Sequence, residues 1–445
     1  MALGPFSSMP AADEGAYSRL RESIDPEWIE AALAATGTAT LRKRRLPAEQ
    51  VIWLVLGMAL YRDRPIDELV ERLDLVMPGS GKASMAKSAV AQARSRLGDE
   101  PLKWLFERCS TEWGHASARR RAWRGLAVYG VDGTTHRVPD SSENRLYFGG
   151  ADDGGRGVGG YPLVRAVTLM ALRSHLLIAA ALGPYKGGGE LALAKELWPQ
   201  VPQDSLVIVD RGFLTANTLI PIAATANNRH WLTRAKSTTK WTVLKKLGNG
   251  DELVEVEVHR GTRAKHPELP RFWQMRAIRY RRPGFPPQTL LTSLIDSKQY
   301  PADELSVLYH ERWELELGYD EVKTEMLDRQ EAIRSRTPKG VLQELWAIGL
   351  AYNLVRLEME RIADEASIEP SRISFVMSLR LIRDEWMWAA ASRAPGAIPR
   401  NLRRLRDELK RFILPPRRSD RSFPRAVKLK MSNYPRKRPN TLAAK

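Results

Sequence analysis

The chain has 445 residues, 43% of them hydrophobic, and a formal net charge of +18 at pH 7. That length supports a real core in about two to four structural units, and a pI near 10.0 points to a polyanionic partner. Cys109 is the single cysteine, which excludes a disulfide framework and fits a reducing compartment.

In chain order, residues 1–15 read as a flexible leader without the charged start and apolar core of a signal peptide. Residues 16–118 read as an all-helical domain. Apolar spacing predicts helices at Pro26–Thr36, Pro47–Tyr61, Pro65–Leu73, Ala83–Leu97 and Pro101–Trp113, several with proline in the first turn. The fourth carries Lys87, Arg94 and Arg96 among small residues, as a helix that reads a DNA groove does. A plain bundle with a wet face is the alternative.

Residues 119–228 change to a mixed α/β pattern. Strands are predicted at Leu126–Val131, Leu163–Leu172, Leu176–Leu182 and Ser205–Val209, and helices at Glu190–Leu197 and Phe213–Ala224. The longest apolar run, 166–182, is broken by Arg173 and His175 and is too short to span a bilayer. No membrane association is expected, and the cytoplasm is the expected compartment. Residues 229–297 alternate as antiparallel strands, at His230–Arg234, Leu253–His259, Trp273–Arg281 and Thr289–Leu294, and read as a β insertion. Residues 298–370 return to helix, with a long apolar segment at Gly340–Ala363. Residues 371–445 form a basic, helical C-terminal region and tail; 401–445 alone hold 15 Lys/Arg against 3 Asp/Glu. The tail reads as a polyanion contact or as a solvated extension; it lacks an amphipathic lipid anchor.

The densest chemistry lies in Tyr309, Arg312, Glu316 and Lys323. Read as one helix at roughly 100° per residue, these fall within about 60° of one another and span about 20 Å. They border the apolar stripe of Leu308, Leu315, Tyr319, Val322 and Met326. A solvated amphipathic helix is the bland alternative. Asp132 and Asp210 each end a predicted buried strand and precede a turn, the edge where α/β sheets bind ligands; such residues also serve as turn caps. With Glu316 they make three carboxylates on three elements, a hard oxygen set suited to Mg²⁺ or Mn²⁺. Two such ions suit phosphoryl transfer.

These residues together resemble the DDE transposases of bacterial insertion sequences, in the branch named after insertion sequence four. Val131-Asp132-Gly133-Thr134, Val138-Pro139-Asp140, Glu143-Asn144 and Phe148-Gly149 resemble the first-aspartate segment of that family. Ile208-Val209-Asp210-Arg211-Gly212-Phe213 resembles the second, and the Tyr309, Arg312, Glu316, Lys323 spacing resembles the Y-R-E-K signature. Trp346–Asn353 resembles the helix that follows. The resemblance implies an RNase H-like core interrupted by the β insertion, and Asp132, Asp210 and Glu316 as catalytic ligands of two Mg²⁺ or Mn²⁺ ions. It implies that Tyr309, Arg312 and Lys323 hold double-stranded DNA, and a homodimer that joins transposon ends to target DNA at the bacterial nucleoid. Some relatives stack a flipped base on a tryptophan before the signature helix. Here that strand, Gln288–Thr292, has none; Trp273 and Trp241 are the substitutes at hand. Arg211 and Lys186 are further phosphate candidates, and His136 a turn or DNA contact near the aspartates. An RNase H-like nuclease without strand transfer and a non-catalytic DNA-binding derivative stay open as alternatives.

Other motifs fail their context. Gly155–Gly160 fits a dinucleotide fingerprint but precedes a strand. Gly81-Lys82-Ala83 lacks the Ser/Thr of a phosphate loop, and no zinc spacing or hydrolytic triad is visible.

Overall fold

The computed structural model of the protein describes residues 24–39, 46–72, 85–151, 160–223, 228–282, 285–328, 333–391 and 405–416. The expected leader, the glycine stretch 155–159, residues 81–83 and the tail beyond 416 lie outside them.

One nine-stranded sheet organises the chain, in the order β3-β2-β1-β4-β5-β9-β8-β7-β6. Its strands are β1 (Ala127–Arg137), β2 (Leu163–Ala171), β3 (Leu177–Pro184), β4 (Ser205–Val209), β5 (Arg229–Arg234), β6 (Thr242–Gly248), β7 (Asp251–Glu257), β8 (Phe272–Tyr280) and β9 (Gln288–Thr292). β1, β2 and β3 pair antiparallel, while β4 and β5 follow β1 in parallel. This is the RNase H-like arrangement of an α/β core. β9 pairs antiparallel with β5 and carries the inserted strands outward. Arg229–Arg234 is thus the fifth core strand, not the first inserted one, because its backbone continues the parallel ladder beyond β4. β6 escaped the sequence reading: it is an edge strand, exposed along nearly its whole length, with no buried face to impose alternation.

Strand alternation separates two apolar layers. Val128, Leu206, Ile208 and Leu232 face a core shared with the helices. Tyr129, Val131, Val207, Val209 and Trp231 face a second core, roofed by Leu193, Trp198, Phe213 and Leu219. The first core runs from Ile24 to Leu409, so the N-terminal helices share it with the catalytic domain. Twelve of the 13 residues of the Ala48–Leu60 helix are buried, which marks it as an interior helix; it packs against the 28-residue Pro338–Glu365 helix. Asn353 of that helix, fully buried, brackets Leu177 by accepting from its N–H and donating to its C=O, both at 2.8 Å. Its amide also donates to Ser110 Oγ at 2.9 Å, so one side chain ties β3 to two helices. Among the described residues, no helix is long and apolar enough to cross a membrane.

The segment predicted as one signature helix is three helices in series. Tyr309–Arg312 is a 3₁₀ turn, Trp313–Asp320 is α-helical, and Glu321–Met326 is π-helical. Leu327 N–H closes the last part by donating to Val322 C=O at 3.0 Å. This i→i+5 pairing winds fewer degrees per residue than an α-helix, and the 3₁₀ turn before it winds more, so the predicted row is not a single straight α-helical line. The helix lies on β1 where Gly130 has no side chain: a Cβ there would stand 2.6 Å from Leu172 Cδ2 and 2.7 Å from Leu315 Cδ1. Behind it, buried Arg356 donates to His175 Nδ1 at 2.6 Å and pairs with Glu321. With Nδ1 accepting, His175 Nε2 carries the proton and donates to Glu314 Oε2 at 2.7 Å. Carboxylates at 314 and 321 are therefore pinned on either side of Glu316. Burial alone would raise the Glu321 carboxyl, yet Arg356 holds it down at about 2.

Two predictions follow from this packing. Gly130→Val should overfill the contact with Leu315 and cost about 1–3 kcal/mol, read as a lower urea midpoint with an unchanged slope. Glu321→Gln should cost roughly 3–5 kcal/mol near neutral pH, the usual penalty for breaking a buried pair. A carboxyl held below its ordinary 4.5 stabilises the fold above that pH and loses the contribution as pH falls. The deficit relative to wild type should therefore close between pH 4.5 and about 2, followed by urea titrations at stepped pH.

Candidate active site

The C-terminal end of β4 and the start of the signature segment enclose a cleft of about 510 Å³. Arg211, Arg234, Arg282 and Arg312 line it together with Asp210, Glu316, Tyr309, His310 and Trp313. Four guanidinium groups beside two carboxylates make a strongly cationic cavity with an acidic floor. Arginine offers paired donors matched to phosphate oxygens.

Asp132 and Asp210 reach this region for different reasons. Asp210 follows the last residue of β4, a fully buried Val/Ile/Leu strand of the parallel ladder. Its Oδ1 accepts from Gly212 N–H at 2.5 Å, so it is also the cap of the next turn. Asp132 is not at a strand end as expected. β1 runs on to Arg137 because β2 continues to pair with it, from Asp132↔Thr168 to Arg137↔Leu163. It is β4 that stops, at Val131↔Val209, and this opens the sheet beside Asp132. By alternation Asp132 and Asp210 share the face that the signature helix covers. Tyr319 fixes the approach: its hydroxyl donates to Asp132 C=O at 2.6 Å and meets Thr168 Oγ1 at 2.8 Å.

Arg312 joins two of the three expected carboxylates. It donates to Glu316 Oε1 at 2.8 Å and to Asp132 Oδ2 at 3.4 Å. Burial pushes the Asp132 carboxyl up to about 6; Gly133 N–H and Arg312 pull it down, and Asp210 and Glu190 add to the rise. Among the described residues no three acidic, His or Cys side chains stand close enough to enclose a metal ion. The guanidinium of Arg312 is the cation between Asp132 and Glu316. The donor set still fits a hard divalent cation, being carboxylate oxygen with a positive charge already drawn among it.

The remaining candidates are dispersed. Tyr309 is 7% exposed and forms part of the cleft wall, as does Arg211. Lys323 lies away from the cleft, half-buried against a small apolar cavity with Thr134, His136, Met170 and Tyr319. Burial lowers the Lys323 ammonium, and burial followed by Lys323 lowers His136 to about 4. Lys87 is exposed, 3.5 Å from Asp67. Arg94 has an interior role in place of the expected groove contact: it donates to Gln343 at 3.0 Å, Ser335 at 2.9 Å and Glu344 at 3.3 Å. Trp273 is half-buried and packs against the second core, its ring 5.2 Å from Trp231. Two residues were missed. Trp313, 42% exposed, lies on the cleft with Arg312 5.7 Å from its ring; it directly follows Arg312, and that adjacency was the available signal. Glu190, first residue of the Glu190–Leu197 helix, is a fourth carboxylate beside Gly133.

Comparison with known proteins agrees with this geometry. Residues 14–107 match the family model for the insertion element 4 transposase N-terminal region, and residues 123–354 match that for the transposase DDE domain. Transposase InsG for insertion sequence element IS4 of Escherichia coli (strain K12) is 38% identical over 417 residues, 94% of this chain and 93% of that protein. The putative transposase InsZ of the same organism is 35% identical over 228 residues, 51% of this chain and 74% of that protein. A solved piggyBac transposase synaptic complex with hairpin DNA aligns with 94% of this chain and 88% of its own, at a TM-score of 0.42 and 12% identity. Two matching family models and a near full-length relative lead to one conclusion: the chain is an enzyme of the insertion element 4 family of DDE transposases.

Proposed function

We propose that this transposase binds the terminal inverted repeats of its own insertion sequence, cuts the DNA at their ends and joins them to target duplex. The observation that carries this reading is Arg312, drawn to both Asp132 and Glu316 on the wall of an arginine-lined cleft that also holds Asp210. Asp132, Asp210 and Glu316 are the catalytic carboxylates in this reading. Two divalent cations, Mg²⁺ or Mn²⁺, held by them would supply the charge that activates the attacking hydroxyl and stabilises the leaving oxygen. The protein's own part is to position the scissile phosphate and balance charge. Arg211, Arg234 and Arg282 draw the backbone into the cleft, and Tyr309 and Trp313 offer ring faces to the terminal bases. Arg312 turns from the carboxylates to a phosphate as DNA enters. The exposed Lys87 adds a peripheral phosphate contact. The active assembly is a homodimer holding two ends, working on chromosomal DNA in the bacterial cytoplasm.

The decisive assay incubates the full chain with Mg²⁺, duplex carrying the inverted-repeat end and a target plasmid. Joined products are expected; cleavage without joining would reduce the protein to a nuclease, and neither would remove the reading. Asp132→Asn, Asp210→Asn and Glu316→Gln should each abolish cleavage and joining while retaining end binding, measured by gel shift in Ca²⁺. Arg312→Ala should weaken end binding and reduce the slope of log affinity against log salt by about one. Fluorescence anisotropy across a salt series measures it.

A further inference from the structure

Three strands of the sheet carry one polar rung where they meet the cleft. Tyr280 of β8 stands directly across from Gln288 of β9, and Arg234 ends β5 opposite Leu290. Two residues away on the same face of each strand lie Ile278, Leu290 and Leu232, all in the first core. The apolar columns thus give way to a tyrosine, a glutamine and an arginine, of which Gln288 and Arg234 line the cleft. The three side chains are bonded to one another. Arg234 Nη1 donates to Gln288 Oε1 at 3.3 Å, and the Tyr280 hydroxyl donates to the same oxygen at 3.0 Å.

These bonds fix which way the amide faces. Arginine has donors only, so the atom it meets is the amide oxygen. Burial, then Tyr309, pushes the Tyr280 hydroxyl up to about 12, so it keeps the proton it donates. Both lone pairs of Oε1 are occupied, and Gln288 is left with Nε2 and its two N–H donors. Among the described residues no group accepts from Nε2, and the atom is not sealed from solvent; it opens on the cleft. A glutamine free at both ends pairs with adenine, accepting from N6 and donating to N7. Here the accepting end is taken. Two donors on one nitrogen match two neighbouring acceptors, the O6 and N7 of guanine, as an ammonium does. Cytosine, whose exposed N4 is itself a donor, would meet them donor to donor. Phosphate is the less suited acceptor, because four guanidinium groups of the cleft serve it with stronger, charge-assisted bonds.

We propose that Gln288 reads a guanine edge in the terminal base pairs of the transposon end, its amide held by Tyr280 and Arg234 with both donors toward the DNA. The inference rests on the reading of this cleft as the seat of that end. Tyr280 does not meet the base. It is a positioning residue that, by occupying Oε1, sets guanine against adenine.

Fluorescence anisotropy of the full chain in Ca²⁺, with end duplexes in which each terminal base pair is replaced in turn, tests it. The wild-type chain should prefer guanine at one terminal position by about tenfold. Placing 7-deazaguanine there removes N7 and should weaken binding to the unaltered protein, a measurement that no folding defect can disturb. Gln288→Met keeps the length of the side chain without its amide and should lose the preference at that position alone. Tyr280→Phe releases one lone pair of Oε1 and should narrow the gap between guanine and adenine there, a shift that lost packing does not produce. An equal loss by Gln288→Met on every end sequence would mark a phosphate contact and overturn the inference. Wild-type base preference in that variant, or indifference to 7-deazaguanine at every terminal guanine, would overturn it too. In each of these cases the chain still prefers end duplex to unrelated duplex. Should the wild-type chain show no such preference, the reading of the cleft falls, and the inference with it.

Discussion

The contact on which the molecule turns is the landing of the signature helix on β1. Gly130 lets Leu315 close on the strand, and two residues along β1 the Tyr319 hydroxyl takes the carbonyl of Asp132. These two contacts bring elements separated by 187 residues into a fixed relation. Asp132 belongs to the strand and Glu316 to the helix between Leu315 and Tyr319, so the spacing of the two carboxylates is set by packing rather than by their own mutual repulsion. Behind the helix, the hydrogen bond from His175 to Glu314 and the ion pair from Arg356 to Glu321 hold it on that landing.

Electrostatics then decides what the cleft does. Burial raises the Asp132 carboxyl above its ordinary range, and the nearby charges of Asp210 and Glu190 add to the rise. Arg312 relieves part of that cost. The same guanidinium faces a cavity in which Arg211, Arg234 and Arg282 already favour anions. In the proposed function it is shared between Glu316 and an incoming phosphate, which would compete for it. On that reading, affinity for DNA would depend on how well the carboxylates are neutralised by other means.

Much of this was legible from residue order. Glu190–Leu197 and Ser205–Val209 were placed to the residue, because a helix with a clear apolar face and a short buried Val/Ile/Leu strand each leave one solution. The three acidic candidates were found on separate elements, two of them on the same sheet face. What failed did so where tertiary pairing overrode local pattern. β1 extends past Asp132 through Thr134, His136 and Arg137, residues with no apolar alternation, because β2 supplies the ladder. The 3₁₀ and π-helical turns of the signature segment carry no mark in composition. Arg94 was assigned by residue type to an outside partner, yet Gln343, Ser335 and Glu344 occupy it.

The shared apolar body has a consequence for how such an element can change. The helices before residue 120 do not hang from the catalytic sheet by a tether; the Ala48–Leu60 helix is locked against Pro338–Glu365, on the far side of the sequence from it. Drift in either helix must be answered by the other. The front of this chain cannot be traded between elements like a bead on a string, and specificity is free to diverge only on the surfaces that this joint interior leaves to solvent.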